Sequence, residues 1–411
     1  MKINGKFWIV SELFYPNETS SGYYLTEIAV YLAQWQQVNV ICGPFWDDNR
    51  GSIQDISKNI ILHRLNVKPF NKNQLLKRIL GLLHLTLSFT YQILIRVKKN
   101  DSVWLVTNPA FLVPIITLIS KIKGFRIAIL VHDVFPENLV PAGLSNNKQW
   151  TYQFIKYIFD KAYSQVDKIV VCGRDMGLVF EKKIGVTKIN KINIIENWAD
   201  IDTVYPSTVN KEEVYGIESL NDKLVIQFAG NIGRLQGLEL LIEIIKNIKN
   251  DLLHFVFIGD GAMKEELIKQ TDNLKNVSFL PPFKRDKQLL FLNACDIAIV
   301  SLYESMTGLG VPSKSYNIMA AGKPILYFGS NDSEIGMVVK ENQIGWQFSF
   351  SDRDKIRLFF NNLNDNTEID RMQMGKKARK IAEIEYSKHI ILEKYQHLFT
   401  SPPYSPPSKP S

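Results

Sequence analysis

Short apolar runs recur along this chain, each closed by small or polar residues and followed by a segment whose apolar residues fall on one helical face. The runs at 7–11, 38–42, 60–64, 103–106, 126–131, 168–172 and 191–195 read as buried strands. Helices are expected between them at 22–35, 110–122, 152–164 and 174–182. A polar stretch at 207–222 breaks the rhythm, which then resumes. Strands follow at 224–228, 254–258, 277–280, 296–302 and near 346–348, with helices at 238–246, 286–293, 352–363, 368–383 and 388–399. The pattern predicts an α/β protein of two doubly wound halves. The layout it implies is a first domain over 1–203, a linker over 204–222, a second domain over 223–385 and a closing helix over 386–399. The proline-dense end, 400–411, reads as a disordered tail.

Chemistry concentrates where strands hand over to helices. After the run at 296–302 comes Gly308-Leu309-Gly310-Val311-Pro312-Ser313-Lys314, opening a short helix that stops at Gly322-Lys323-Pro324. A glycine turn feeding a helix N-terminus presents free N–H groups and a positive dipole end to one point, which suits a phosphate. Ser313 is the expected cap or first-turn residue, and Lys314 opposes the dipole, a choice that helix stability alone disfavours. An ordinary strand–helix connection with a surface lysine is the plain alternative. Gly230 to Gly237, with Arg234 as a forked donor, forms a second such cradle, and Gly259-Asp260-Gly261 a third turn. Pro281-Pro282-Phe283 is a rigid wall suited to a base. In the first half, Gly22 opens a helix after a loop with no G-x-G-x-x-G fingerprint, which argues against a dinucleotide site. The strand at 126–131 delivers His132-Asp133-Val134-Phe135-Pro136-Glu137 at its carboxyl end, where ligands sit in open parallel sheets.

Composition narrows the partners. Among 411 residues, 49 Lys and Arg against 41 Asp and Glu give a net charge of +8, which favours an anionic partner. No basic stripe with interleaved aromatics appears, so nucleic acid is discounted. The segment 72–99 is rich in Leu and Ile between basic ends, and no acidic residue occurs from Val67 to Asn100. Such a helix suits an anionic membrane interface, while Lys77, Arg78, His84 and Arg96 argue against a span. A helix packed on a sheet with a solvated basic edge is the alternative. Cys42, Cys172 and Cys295 are scattered in apolar runs, which fits a reducing compartment and small buried hydrophobes.

Five stretches in this order resemble the retaining GT-B glycosyltransferases of family 4, and within them the bacterial O-antigen and exopolysaccharide (capsule-type) branch. They are Phe14-Tyr15-Pro16 with Ser21-Gly22-Tyr23-Tyr24-Leu25, His132 to Glu137, Glu196-Asn197-Trp198-Ala199-Asp200, Gly230 to Gly237, and Val311-Pro312-Ser313-Lys314 through Ala320-Ala321-Gly322-Lys323-Pro324. The resemblance implies two Rossmann-like domains facing a cleft, an acceptor domain first and a nucleotide-sugar domain second. It places Gly22 near the diphosphate and His132 beside the transferred sugar, with Arg234 and Lys314 on the phosphates. Donor contacts are expected from Gly233, Gln236, Gly237, Gly259, Pro282, Gly308, Leu309, Gly310, Ser313 and Asn317. Asp133 is a catalytic candidate, and Tyr23 and Glu137 are acceptor-side candidates. Two departures stand out. The family's Glu-x7-Glu pair falls at Leu309 and Asn317, with Glu304 restoring the first only across a gap. Its Arg and Lys in the second-domain cradle fall at Asn231 and Gln236.

The implied reaction is transfer of a hexose-type sugar, N-acetylated or 6-deoxy, from a nucleotide diphosphate (UDP favoured) to a polyprenyl-diphosphate-linked glycan. It proceeds with retention and without metal or other cofactor, on the inner face of the bacterial cytoplasmic membrane. Two alternatives stay open: a nucleotide-sugar 2-epimerase of the same architecture, and a non-catalytic partner subunit of a membrane transferase.

Overall fold

The computed structural model describes residues 5–17, 19–45, 56–67 and 75–400. The start of the expected membrane-facing segment, 72–74, and the tail after residue 400 lie outside the described residues. The chain folds as two compact units, each discontinuous in sequence. The first draws on Met1–Val131, Asp160–Val170 and His389–Ser411; the second on His132–Phe159 and Val171–Lys388.

Seven strands form the first sheet: β1 (Phe7–Ser11), β2 (Val38–Cys42), β3 (Ile60–Arg64), β4 (Ser102–Val106), β5 (Arg126–Val131), β6 (Lys168–Val171) and β7 (Ile192–Ile194). Their order is β3-β2-β1-β4-β5-β6-β7, with Phe7 of parallel β1 opposite both Val38 and Ser102. β1 and β2 are buried along their whole length, as continuous apolar runs require. The last helix, Lys388–Thr400, closes over this sheet: Phe399 meets the rings of Phe7 and Trp104 at 4.9 and 5.2 Å, and Tyr395 packs on Trp104. Such aromatic pairs contribute about 0.5–1.5 kcal/mol each beyond burial.

Helix Leu75–Arg96 also belongs to the first unit and has two apolar faces. Leu85, Phe89 and Ile93, four residues apart, are fully buried, with Val97 just beyond the helix end. Leu80, Leu83, Leu87, Tyr91, Leu94 and Ile95 are exposed. Its window Ile79–Arg96 is, by length and composition, apolar enough to cross a membrane at a mean hydropathy of 1.3. Helix Leu112–Lys123 packs beside it and adds Leu118 and Ile122 to the exposed apolar residues.

The second unit holds a six-stranded parallel sheet: β8 (Leu224–Ala229), β9 (Leu253–Ile258), β10 (Val277–Leu280), β11 (Ile297–Ser301), β12 (Ile325–Phe328) and β13 (Gly345–Phe348). The order β10-β9-β8-β11-β12-β13 reverses direction between β8 and β11. Ligands of doubly wound sheets bind at such a switch point, outside the carboxyl ends of the strands. β12 and helix Glu334–Asn342 had no counterpart among the expected elements. The four residues of β12 sit between Pro324 and Gly329, too short a run for periodicity to register. Helix Lys211–Tyr215, capped by Asn210, lies inside the stretch read as a linker.

Candidate active site

At the switch point β8 and β11 lie side by side, with Ile299 opposite Phe228. The loops leaving these two strands carry the two expected phosphate cations. Lys314 begins helix Lys314–Ala320, and its ammonium sits 3.3 Å from the centre of the Phe228 ring. A Cβ built on Gly230 would lie 3.5 Å from that ammonium. Among the described residues no carboxylate or carbonyl takes a hydrogen bond from Lys314. Burial pulls its pKa down to about 7. A cation over an aromatic face gains up to about 2 kcal/mol when desolvated, which accounts for the ammonium's place but leaves its charge uncompensated.

Arg234 lies four residues beyond Gly230 on the same loop, exposed and without an ion pair among the described residues. The loop is held by Tyr303, whose N–H donates to the Leu235 carbonyl at 2.9 Å and whose hydroxyl donates to Glu239. Gln236 Oε1 is buried and accepts no hydrogen bond. A side chain on Gly233 would run into Asn231 and Gln236, and Gly237 caps helix Leu238–Ile245 in the left-handed region. Gly259, at φ +145°, does not face a ligand: its missing Cβ would fall 1.9 Å from the Gly230 carbonyl, so it serves close contact between the β8 and β9 loops. Pro282 is exposed beyond β10.

The turn after β11 is stitched more tightly than the sequence implied. Gly308 adopts φ +75°, and its N–H donates to Asp175 Oδ2 at 2.9 Å. Leu309 is buried; its N–H is spent on Met306 and its carbonyl accepts the Val134 N–H at 3.0 Å. Gly308 and Leu309 therefore offer no free N–H to a phosphate. Gly310 pairs with Asp133 in an antiparallel bridge. The pairing brings His132-Asp133 against the turn that precedes Lys314. His132 Nε2 is buried without a partner, and burial lowers its pKa to about 4, so the ring is neutral at neutral pH. Water reaches the Asp133 carboxyl, yet the protein behind it raises its pKa above the ordinary value. Ser313 precedes the helix without capping it through its side chain.

Two expected site residues are committed elsewhere. The Asn317 amide is buried, accepting from the Asp200 N–H at 2.8 Å and donating to Gln288 at 2.9 Å. It is held inside the protein and not presented to a ribose. Glu137 accepts from Lys183 at 2.7 Å through both oxygens and pairs with Lys156 at 2.9 Å. Burial opposes its ionisation, but the two lysines prevail and its pKa is lowered, which disfavours a role as base. Gly22 and Tyr23 lie in the first unit, in helix Ser20–Leu32. Gly22 gives its N–H to the Thr19 cap, and its Cβ would strike the Asn17 carbonyl at 2.5 Å. Tyr23 is half-buried beside Tyr24.

The Pseudomonas aeruginosa protein named "Probable glycosyltransferase WbjE" is 33% identical over 392 residues, covering 95% of this chain and 96% of its own length. This chain belongs to the group 1 glycosyltransferases. Residues 210–381 match that family, described as Glycosyl transferases group 1, and they contain both loops that leave β8 and β11. WcaI of Escherichia coli (strain K12), named for colanic acid biosynthesis, is 27% identical over 64% of this chain and 66% of its own. The solved structure of Anabaena HepE with UDP-glucose superposes with a TM-score of 0.72 at 16% identity, covering 97% of this chain and all of the other. The fold is GT-B.

Two buried carboxylates organise the surroundings of this glycosyltransferase's switch point. Asp200, inside the Glu196–Asp200 motif, takes hydrogen bonds from Trp198 Nε1 at 3.0 Å and Arg285 at 2.6 Å besides its ties to Asn317. The Asp200 end of the motif is thus a buried hydrogen-bonded knot. Asp175 lies four residues beyond β6, in the first turn of helix Arg174–Ile184, and its place after a strand end was the one signal available for finding it.

Proposed function

We propose that this glycosyltransferase binds a nucleoside diphosphate sugar, UDP favoured, with its diphosphate against Lys314 and Arg234 at the end of β8. The reading rests on one observation: the half-buried Lys314 places its ammonium over Phe228, where burial lowers its pKa, and no anion pairs with it among the described residues. The charge that grows on a departing diphosphate is met there by a preorganised cation, an interaction worth most in the transition state. Because two side-chain cations and the N–H groups beyond Gly310 carry this task, the reaction is metal-independent. Neutral His132, beside the turn, contacts the transferred sugar. Asp133 is its partner for orienting the acceptor hydroxyl. Attack on the same face gives a retained anomeric configuration.

The acceptor in this reading is a polyprenyl-diphosphate-linked glycan in bacterial surface polysaccharide assembly, consistent with the relative named for colanic acid biosynthesis. The exposed face of helices Leu75–Arg96 and Leu112–Lys123 supports attachment to the inner leaflet. It is apolar in the middle, and Lys98, Lys99, Lys121 and Lys123 stand at its end. Each such cation near an anionic surface contributes about 1 kcal/mol. The test incubates the protein with lipid-linked oligosaccharides and a panel of UDP-, GDP- and dTDP-sugars, with and without EDTA. A mass shift of one sugar, insensitive to EDTA and with the donor's anomeric configuration, is expected. No product and no donor hydrolysis with any member would overturn the reading.

A further inference from the structure

Asp175 is a carboxylate only 4% exposed, and no cation pairs with it among the described residues. Its neighbour Arg174 points away, with Nε donating to Glu334 and Nη1 to Glu341 at 2.9 Å. What holds Asp175 is backbone. Oδ1 accepts the Met176 N–H at 2.8 Å and Oδ2 accepts the Gly308 N–H at 2.9 Å, and the amide of Glu334 also favours its charged form. Burial outweighs these donors, and the pKa is raised. A buried carboxylate without a counter-ion is costly, and capping the local helix does not require one, because Gly173 holds the cap position. The long-range contact is the one that distinguishes this residue: 133 positions separate Asp175 from Gly308.

That contact fixes a turn with little freedom of its own. Gly308 has φ +75°, and a Cβ there would stand 2.6 Å from Val179 and 2.9 Å from the Asp175 carbonyl. The turn is pressed against the first two turns of helix Arg174–Ile184. On its other side Val134 and Asp133 hold Leu309 and Gly310. The next residues are Val311, Pro312 and Ser313, and then Lys314.

We propose that Asp175 is a positioning residue for sugar transfer: through the Gly308 amide it sets the turn that places the Lys314 ammonium over the end of β8. This rests on the donor reading above. Asp175 touches neither donor nor acceptor, and acts only through the backbone it holds. In Asp175→Asn one acceptor oxygen becomes an NH2 group, which cannot satisfy both N–H donors. The turn then loses its anchor while the helix start keeps its own.

The experiment is a double-mutant cycle on nucleoside diphosphate affinity, using whichever of UDP, GDP and dTDP binds the wild-type protein. Asp175→Asn is expected to weaken binding several-fold and Lys314→Ala more than tenfold, with the double variant no weaker than Lys314→Ala alone. Multiplying effects would show that Asp175 acts independently of Lys314 and would overturn the proposal. So would wild-type affinity in Asp175→Asn. Wild-type affinity in Lys314→Ala would sink the donor reading, a separate failure. A lower melting temperature with unchanged affinity would mark Asp175 as merely structural. Should Asp175→Asn not fold, Asp175→Glu, which keeps the charge but crowds Gly308, is put through the same cycle with the same non-additive result expected.

Discussion

The two loops that leave β8 and β11 carry one cation each, yet they are built on opposite principles. The β11 turn is stitched by Asp175, Val134 and Asp133, and its lysine is desolvated over Phe228. The β8 loop is tied down at Leu235 and leaves Arg234 in water, with the nearby Gln236 oxygen unpartnered. A preorganised charge in a low-dielectric wall is worth far more to a growing negative charge than one that water already solvates. If the proposed donor site is right, Lys314 carries the larger share of donor stabilisation and Arg234 a trimming role.

The sharpest way to break that ranking is Lys314→Ala, which should lower donor turnover by roughly 10²–10³-fold, the loss seen when a preorganised donor is removed. Its melting temperature should hold or rise, because an unpaired desolvated ammonium has gone. His132→Ala comes next: if this half-buried, neutral ring meets the sugar as proposed, its loss should reduce kcat while nucleotide affinity stays within about twofold. Arg234→Ala should cost roughly tenfold, the scale of one charge-assisted hydrogen bond, with a loss that shrinks as salt rises. Equal losses at 234 and 314 would erase the distinction between the loops.

The smallest effects are expected away from the donor. Leu87→Glu with Leu118→Glu, at positions 66% and 62% exposed, should reduce binding to vesicles containing anionic lipid. Nucleotide affinity should be unchanged, and stability should shift by no more than about 0.5 kcal/mol per site. Unchanged vesicle binding would separate this face from the membrane.

The same contrast explains what the sequence could disclose. Lys314 was legible because a cation in a first helical turn opposes the dipole, a local conflict that needs no tertiary knowledge. Arg234 was legible for a similar reason, as a fork donor in a glycine loop. The ties of Asn317 and Glu137 could not be read locally because their partners lie far away in sequence: Asp200 and Gln288 for the one, Lys183 and Lys156 for the other. Gly308 was recognised as a turn residue, but the carboxylate that consumes its N–H could be known only from the fold. Among the elements, alternating apolar runs located both parallel sheets, and the one strand overlooked, β12, lies directly behind a proline stop.

The central claim, that Lys314, set over Phe228 and unpaired among the described residues, receives the diphosphate, is tested most directly by the pH dependence of nucleoside diphosphate affinity. The free protein holds this lysine at about 7, and a neighbouring diphosphate raises it. Affinity should therefore be full below about pH 7 and fall as pH rises above it, by roughly tenfold per unit at most. Titration calorimetry of wild type and Lys314→Ala from pH 6 to pH 9 (roughly the window either side of that value) reads this out. Affinity should fall with pH in wild type and stay flat and weak in the variant. Parallel curves of equal strength would contradict it.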